Sequence, residues 1–554
     1  MTYQKSSLFT YALMSLLALP VSASEPTVGQ TIVLGPFTGV GATLHPDNVS
    51  PFPIAYYGTD LGFTYQHQDQ LRLLFGDTMA NPIGDPIEAS TGRKFDDSFG
   101  SISLADWPDP TTFAPGHIPL IKLGQNPGST EMAAINPGHA MEGFKTPVGG
   151  FSNGSREFGL FFTFKPQGCS TDADCSNGMQ CDNGLGFAGP PYSTDEGVTF
   201  GCVDGSAEAC VADTMADAAG LAVAGSGFCL DRGSSVWADS TIGRTNAMGV
   251  KLLVGLRSLD NPKMYATVHE WKTNRFLNVA LRTVNDFDPA TAADAAADGS
   301  RQDYRPADGS GKNPRVFLWG RPGFIGVKST GRDLAMYFAY VDLPAGPGYA
   351  WAPQYFTGLD EKGQPQFSAR ENEAAAVDLD SSLPGIQATE AYDVVNQVSV
   401  AWVGELNKWV MFYGGGLVNL PIAPVLPKCG VLELFAGQEC DQVVIGNGAF
   451  RMRTADQPWG PWSPPQDIIA AGDPAVAAGQ YGVGGMLRHP ACTAPGCAPH
   501  TPAREASPQE YGFFYSANII EQWTRPAGDG VDIIWNASTW DPYRVILLRT
   551  RITR

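Results

Sequence analysis

Short polar turns that open onto aromatic-rich apolar runs recur along the chain. The copies occupy 69–79, 155–165, 332–341, 406–415 and 509–518, with runs such as Gly-Leu-Phe-Phe-Thr-Phe at 159–164 and Trp-Val-Met-Phe-Tyr at 409–413. Some follow another apolar segment, as 398–403 precedes the fourth copy, and three further segments (277–284, 450–455 and 545–552) carry Arg-Thr toward their ends. Runs this short, bounded by turn residues and rich in aromatic and β-branched side chains, predict strands. Five copies of one antiparallel unit predict an all-β chain, a five-bladed β-propeller. The apolar/polar alternation is imperfect, as expected of strands covered on both faces. Uneven spacing between copies places large insertions in the blade loops. Helix signals are few, and 372–377 is one weak candidate.

Composition agrees with a turn-rich β protein. Glycine (64) and proline (43) supply much of the chain, and hydrophobic residues (43%) outweigh charged ones (17%), a globular rather than a disordered balance. The net charge of −20 argues against nucleic acid and against anionic membranes as partners.

Residues 1–23 read as a secretory signal peptide: Lys5 opens it, Leu8 to Leu19 are its apolar run, and Val21, Ser22 and Ala23 form a small-residue cleavage site. The mature chain, 24–554, is expected to be one propeller, exported to a secreted or periplasmic location, with no membrane span, and a monomer. Six of the ten cysteines (Cys169, Cys175, Cys181, Cys202, Cys210, Cys229) fall in a Gly/Asp/Ala-rich insertion at 166–232, and the rest form the close pairs Cys429/Cys440 and Cys492/Cys497. An even, locally grouped set behind a signal peptide predicts disulfides. No histidine lies in the cluster, which disfavours zinc, and no cofactor is expected, with a structural cation left open. Residues 286–312 read as a flexible surface loop.

The candidate chemistry lies in the first hairpin. Residues 58–78 predict two strands about a turn between Gln68 and Asp69, which sets Asp60 opposite Asp77. Opposed side chains have Cβ atoms about 4.5–5.5 Å apart, so two carboxylates there repel. Such a pair suits glycoside hydrolysis, as acid and as nucleophile or base, or could share a metal. The plain alternative makes both aspartates strand-end residues bonded to backbone.

Gly58-Thr-Asp-Leu-Gly62 and Leu73-Leu-Phe-Gly-Asp-Thr78 resemble the opening of the bacterial family called domain of unknown function 4185, as do the Trp459-Gly-Pro-Trp462 stretch and the closing 540–549 segment. That resemblance implies a five-bladed β-propeller, an endo-acting D-arabinanase-like glycoside hydrolase and a polysaccharide substrate. Asp60 and Asp77 then match the family's paired catalytic aspartates. The insertions depart from the compact family pattern and are expected around the blade loops, where they reshape the cleft.

Further residues are substrate-binding candidates. Asp96 and Asp97 precede 98–104, read as an inner strand of a second blade. Arg321 with its neighbour Trp319, and Arg488 with His489, flank other predicted inner strands, and Asn396 and Tyr515 are of the same kind. His67, in the hairpin turn, reads as solvated, and Phe161, Tyr337 and Phe412 as blade core. Asn48, Asn153 and Asn536 begin glycosylation triplets. No phosphate loop, nucleophile elbow or zinc helix is found. The alternatives to a hydrolase are a propeller that binds glycan without cutting it and a structural envelope protein.

Overall fold

The computed structural model describes residues 25–39, 58–79, 96–123, 145–163, 251–257, 265–271, 278–284, 315–321, 336–343, 350–377, 397–414, 450–469, 513–540 and 544–554, with short pieces between them. Five antiparallel sheets carry the architecture. Blade 1 runs from inner to outer strand through Gly58–His67, Gln70–Met79, Asp96–Ser103 and Lys122–Leu123. Blade 2 uses Lys145–Ser152, Glu157–Thr163, Lys251–Arg257 and Tyr265–Trp271. Blade 3 uses Asn278–Val284, Arg315–Arg321, Tyr337–Asp342, Gln354–Leu359 and Pro365–Ser368. Blade 4 uses Val398–Val403, Lys408–Gly414, Phe450–Ala455 and Gln466–Ile469.

Blade 5 is composite. Phe513–Ile519, Gly530–Trp540 and Arg544–Thr553 come from the end of the chain, and Thr27–Pro36 from its start adds the outer strand. The inner strands of neighbouring blades touch in a closed ring, blade 5 against blade 1 included. All five also line one central cavity, through residues such as Thr64, Gly149, Arg282, Ser399 and Asn518. The chain is therefore all-β and forms a five-bladed β-propeller. Among the described residues no helix is long and apolar enough to cross a membrane.

The imperfect alternation now has a physical cause. The buried apolar residues form five clusters, one per seam between blades. In Arg315–Arg321, Val316 and Leu318 face the blade 2 seam, while Phe317 and Trp319 face the blade 4 seam. A strand with a core on each side must be apolar at consecutive positions. Phe161 and Phe412 are fully buried in their seams, as expected of blade core, and Tyr337 is partly buried against its own. Each fully buried Leu or Phe contributes roughly 1.5–3 kcal/mol, so the seams hold the ring together.

Several expectations are corrected. The five repeats do fall one to a blade, but not at equivalent places. Three are second strands, the copy at 332–341 is a third strand and the copy at 509–518 is an inner strand. Asp96–Ser103 is the third strand of blade 1 rather than the inner strand of blade 2. Arg315–Arg321 is the second strand of blade 3, not an inner one. The weak helix candidate reduces to a 3-10 turn at Glu371–Glu373.

His67 is not solvated. It is buried, with Nδ1 against Ser152 Oγ (2.8 Å) and Nε2 3.8 Å from Glu157. Glu157 anchors the blade 1–blade 2 seam: it accepts from Arg72 Nε (2.9 Å), Arg257 Nη1 (2.6 Å) and the Tyr65 hydroxyl (2.9 Å). Burial works to raise the Glu157 carboxyl, but Arg257, Arg72 and His67 outweigh it and hold the carboxyl below its ordinary value. Burial pushes the His67 imidazole down, against the pull of Glu157.

Within the Cys-rich insertion, the backbone of Cys229 pairs with that of Cys181 in a short antiparallel ladder. The signal segment 1–23, the 286–312 loop and the Cys492/Cys497 pair lie outside the described residues.

Candidate active site

The inner strands of blades 1 and 2 run the same way, with Tyr65 against Gly150 and His67 against Ser152, and blades of a propeller repeat by rotation about one axis, so the inner strands start at one mouth, where the second strands end and the third strands begin. This mouth gathers Asp60, the ends of Gln70–Met79 and Arg315–Arg321, the starts of Asp96–Ser103 and Asn278–Val284, Tyr515 and Arg544. Asp60, Asp77 and Asp97 thus stand on three adjacent strands of blade 1, at the same end.

The expected register holds from His67↔Gln70 to Phe63↔Leu74 and then shifts by one. Leu61 and Gly62 form a bulge, both at φ +65°, and beyond it Asp60 pairs with Gly76 rather than with Asp77. Asp77 therefore lies one residue past the position directly opposite Asp60, in a second irregularity. A bulge re-aims a side chain and disrupts the ladder locally.

Gly76 has a specific reason to be glycine. A Cβ there would stand 2.5 Å from Asp60 Oδ1 and 2.7 Å from Leu61 Cδ1, so the missing side chain is the room that the carboxylate occupies. Asp60 is 7% exposed, and the Tyr515 hydroxyl donates to its Oδ2 at 2.6 Å. The structure thus joins two of the sequence candidates, from blades 1 and 5.

A buried polar network across the same seam fixes the bulge. The Leu61 amide donates to Ser538 Oγ (2.7 Å), Asn518 Nδ2 donates to the Leu61 carbonyl (2.9 Å), and Asn536 Nδ2 donates to the Gly62 carbonyl (2.9 Å). Asn518 also donates to Asn536 Oδ1 (3.2 Å). Blade 5 answers with its own bulge, between Tyr515 and Asn518, where Ser516 stands at φ +56°. Positive φ at Leu or Ser is costly and persists where surrounding structure over-determines it. The other described non-glycine residues at positive φ, Gln68 and Asn407, lie in hairpin turns, whereas Leu61 and Ser516 flank Asp60 and Tyr515.

Sequence reasoning missed Ser516, Asn518, Asn536 and Ser538. Asn536 and Ser538 were visible as a glycosylation triplet, but both are fully buried and the folded chain leaves no room for a glycan there. Asn153 is also buried: its Oδ1 accepts the Ser155 and Arg156 amides of a tight turn. Asn48 lies outside the described residues.

The remaining candidates divide. Trp319 is fully buried among Phe317, Phe338 and Trp409, with its indole N–H on the Pro458 carbonyl (2.6 Å). It belongs to the blade 3–blade 4 core, not to a surface that a sugar could reach. Arg321 is buried where its strand ends at the mouth, paired in the ladder with Asn278. Arg544, missed in the sequence, opens the third strand of blade 5, and burial lowers its guanidinium to about 10. Asn396, Arg488 and His489 lie outside the described residues, and for Asp77 and Asp97 only the strand position is described. Among the described residues no group of His, Cys, Asp and Glu could hold a metal ion.

No protein-family model matches the sequence, and no characterised protein matches it in sequence. Solved structures align with it only loosely. A hydrolase candidate from Bacteroides ovatus is 9% identical over 90% of this chain and 86% of that one, with a TM-score of 0.36. An exo-β-1,3-galactanase from Phanerochaete chrysosporium, solved with β-1,3-galactotriose, is 9% identical over 94% of this chain and 64% of its own, with a TM-score of 0.33. The catalytic domain of an α-L-arabinofuranosidase from Coprinopsis cinerea is 8% identical over 95% and 98%, with a TM-score of 0.28. This chain spans less than two thirds of the galactanase. Overlaps this loose carry none of these activities across.

Proposed function

We propose that the protein is an exported glycoside hydrolase that cuts within an arabinan-like cell-wall polysaccharide, as the resemblance to the domain of unknown function 4185 family implies. Asp60 and Asp77 are its catalytic pair, one the acid and the other the nucleophile or base. Asp97 binds substrate hydroxyls at the same mouth, Arg321, buried at the end of its strand, tunes the carboxylates, and Asn396, Arg488 and His489 are carried forward with them.

One observation carries the reading. The Asp60 carboxylate is held at the channel mouth, over a glycine that makes room for it, by a tyrosine from another blade, and a residue at positive φ flanks each partner. A carboxylate that only ends a strand needs no such scaffold, whereas chemistry requires a side chain held to within a fraction of an ångström.

The mature protein should release oligomers from mycobacterial arabinogalactan and leave plant arabinan and pullulan intact. Asp60→Asn and Asp77→Asn should each abolish that release. Wild-type rates in both variants would remove the pair from the chemistry. Saturable binding with unchanged chain length would make the protein a glycan-binding propeller instead.

A further inference from the structure

We propose that Tyr515 is a positioning residue whose phenol holds Asp60 ionised, making Asp60 the nucleophile or base and leaving protonation of the departing oxygen to Asp77. The division of labour rests on the hydrolase reading above. The state of Asp60 rests on the geometry alone.

Three features of that geometry converge. First, the phenol donates to Asp60 Oδ2 at 2.6 Å. An O–H···O⁻ bond to an ionised acceptor measures about 2.5–2.7 Å, and a donor to the charged form favours that form. Second, the pair is not a by-product of strand pairing. Tyr515 pairs in the ladder with Ser538, and Asp60 with Gly76. The two meet because facing bulges turn them toward each other across the blade 5–blade 1 seam. The same seam ties Leu61, next to Asp60, to Asn518 and Ser538 on the strands of blade 5. Third, Asp60 is buried, and a Cβ on Gly76 would occupy the space of its other oxygen, Oδ1. Enclosed on its Oδ1 side, the carboxylate keeps Oδ2 on the phenol, and the donated bond favours its charged form. The Tyr515 ring itself packs on the blade 1–blade 2 cluster of Leu61, Phe63 and Phe99. Removing only the hydroxyl therefore leaves the packing in place.

The test is Tyr515→Phe, read in two ways. In protein labelled with ¹³C at the aspartate carboxyls, the Asp60 signal is assigned by its loss in Asp60→Asn. It should titrate about one to two pH units higher in Tyr515→Phe, the shift that matches a bond to a charged group. An unchanged titration would overturn the proposal whatever the protein does to glycans.

In the pH profile of kcat/KM on arabinogalactan, the acidic limb should move up by the same amount and the alkaline limb should stay. kcat should fall more than KM changes. Movement of the alkaline limb instead would make Asp60 the acid and overturn the assignment. If the wild-type protein cuts no glycan, the hydrolase reading fails and the division of labour falls with it. The titration then still decides whether the phenol holds Asp60 ionised.

Discussion

Gly76→Ala isolates the claim that Asp60 is held in place rather than merely exposed at a strand end. The new methyl would stand 2.5 Å from Asp60 Oδ1 and 2.7 Å from Leu61 Cδ1. Carbon settles at about 3.5–4.0 Å from its non-bonded neighbours, so the carboxylate must retreat by roughly 1–1.5 Å. The short bond from Tyr515 cannot survive that move unaltered. A misplacement of about 1 Å at a reacting group costs on the order of 10²-fold in rate, while overpacking a buried site costs about 1–3 kcal/mol in stability.

Gly100→Ala separates the two effects. It lies in the same blade, where its methyl would stand 2.4 Å from Ile121 Cγ2, so the overpacking is of similar severity but away from the aspartate. Urea denaturation measures stability, and reducing-end release from arabinogalactan at matched folded fraction measures activity. The expected outcome is a comparable loss of stability in both variants, with about a hundredfold loss of kcat/KM in Gly76→Ala and less than about threefold in Gly100→Ala. Equal activity in the two variants would refute the reasoning, because the room beside Gly76 would then have no bearing on function.

Other expectations follow from the same contacts. Glu157→Ala leaves Arg72 and Arg257 buried without their shared carboxylate and should cost about 3–5 kcal/mol in urea denaturation, and a loss below about 1 kcal/mol would contradict the role of this seam. The Glu157 carboxyl is held below its ordinary 4.5, so the stability it contributes is present above that pH and lost as pH falls through the folded value. His67 is likewise lowered from 6.5, so the unfolded chain takes up its proton first and stability begins to fall below that pH; Glu157→Gln should flatten the part of the decline below pH 4.5. Asn536→Ala strips the Gly62 carbonyl and Asn518 of a buried partner, and should cost about 1–3 kcal/mol together with part of the activity, whereas full activity would show that the bulge does not depend on it. Directly opposed ladder residues stand at Cα separations compatible with a disulfide, so peptide mapping is expected to find Cys181 linked to Cys229, and a link from either to Cys429 or Cys440 would contradict this.

Much of the fold was legible because each blade keeps one aromatic-rich strand that a polar turn announces. The count of five follows from that. The assignment of strands within blades does not, since the same kind of segment serves as second strand at 157–163, third at 337–342 and inner at 513–519. Two-sided burial makes these strands alike in composition, whatever their distance from the axis.

The hairpin was legible as far as Phe63↔Leu74, where residue counting from the turn suffices. It failed at Leu61-Gly62, because a bulge with a non-glycine residue at positive φ leaves no mark that local sequence can show. Its cause lies 457 residues away in the chain, in the Asn518 side chain that bonds to the Leu61 carbonyl. Asn536 and Ser538 were misread for a related reason: an Asn-Ala-Ser triplet looks the same on a surface loop and in a buried seam. Trp319 was a substrate-binding candidate because it lies two residues from Arg321, but that face of the strand packs against blade 4, and the tryptophan went to the core.

The central claim is that Asp60, at the mouth of the propeller, takes part in cutting a glycan. Its most direct test compares the mature wild-type protein with Asp60→Asn on mycobacterial arabinogalactan, reading reducing ends and product lengths. The account expects oligomers from the wild type and a loss of at least about 10³-fold in the variant, with substrate binding retained. Equal release by the two proteins would contradict it.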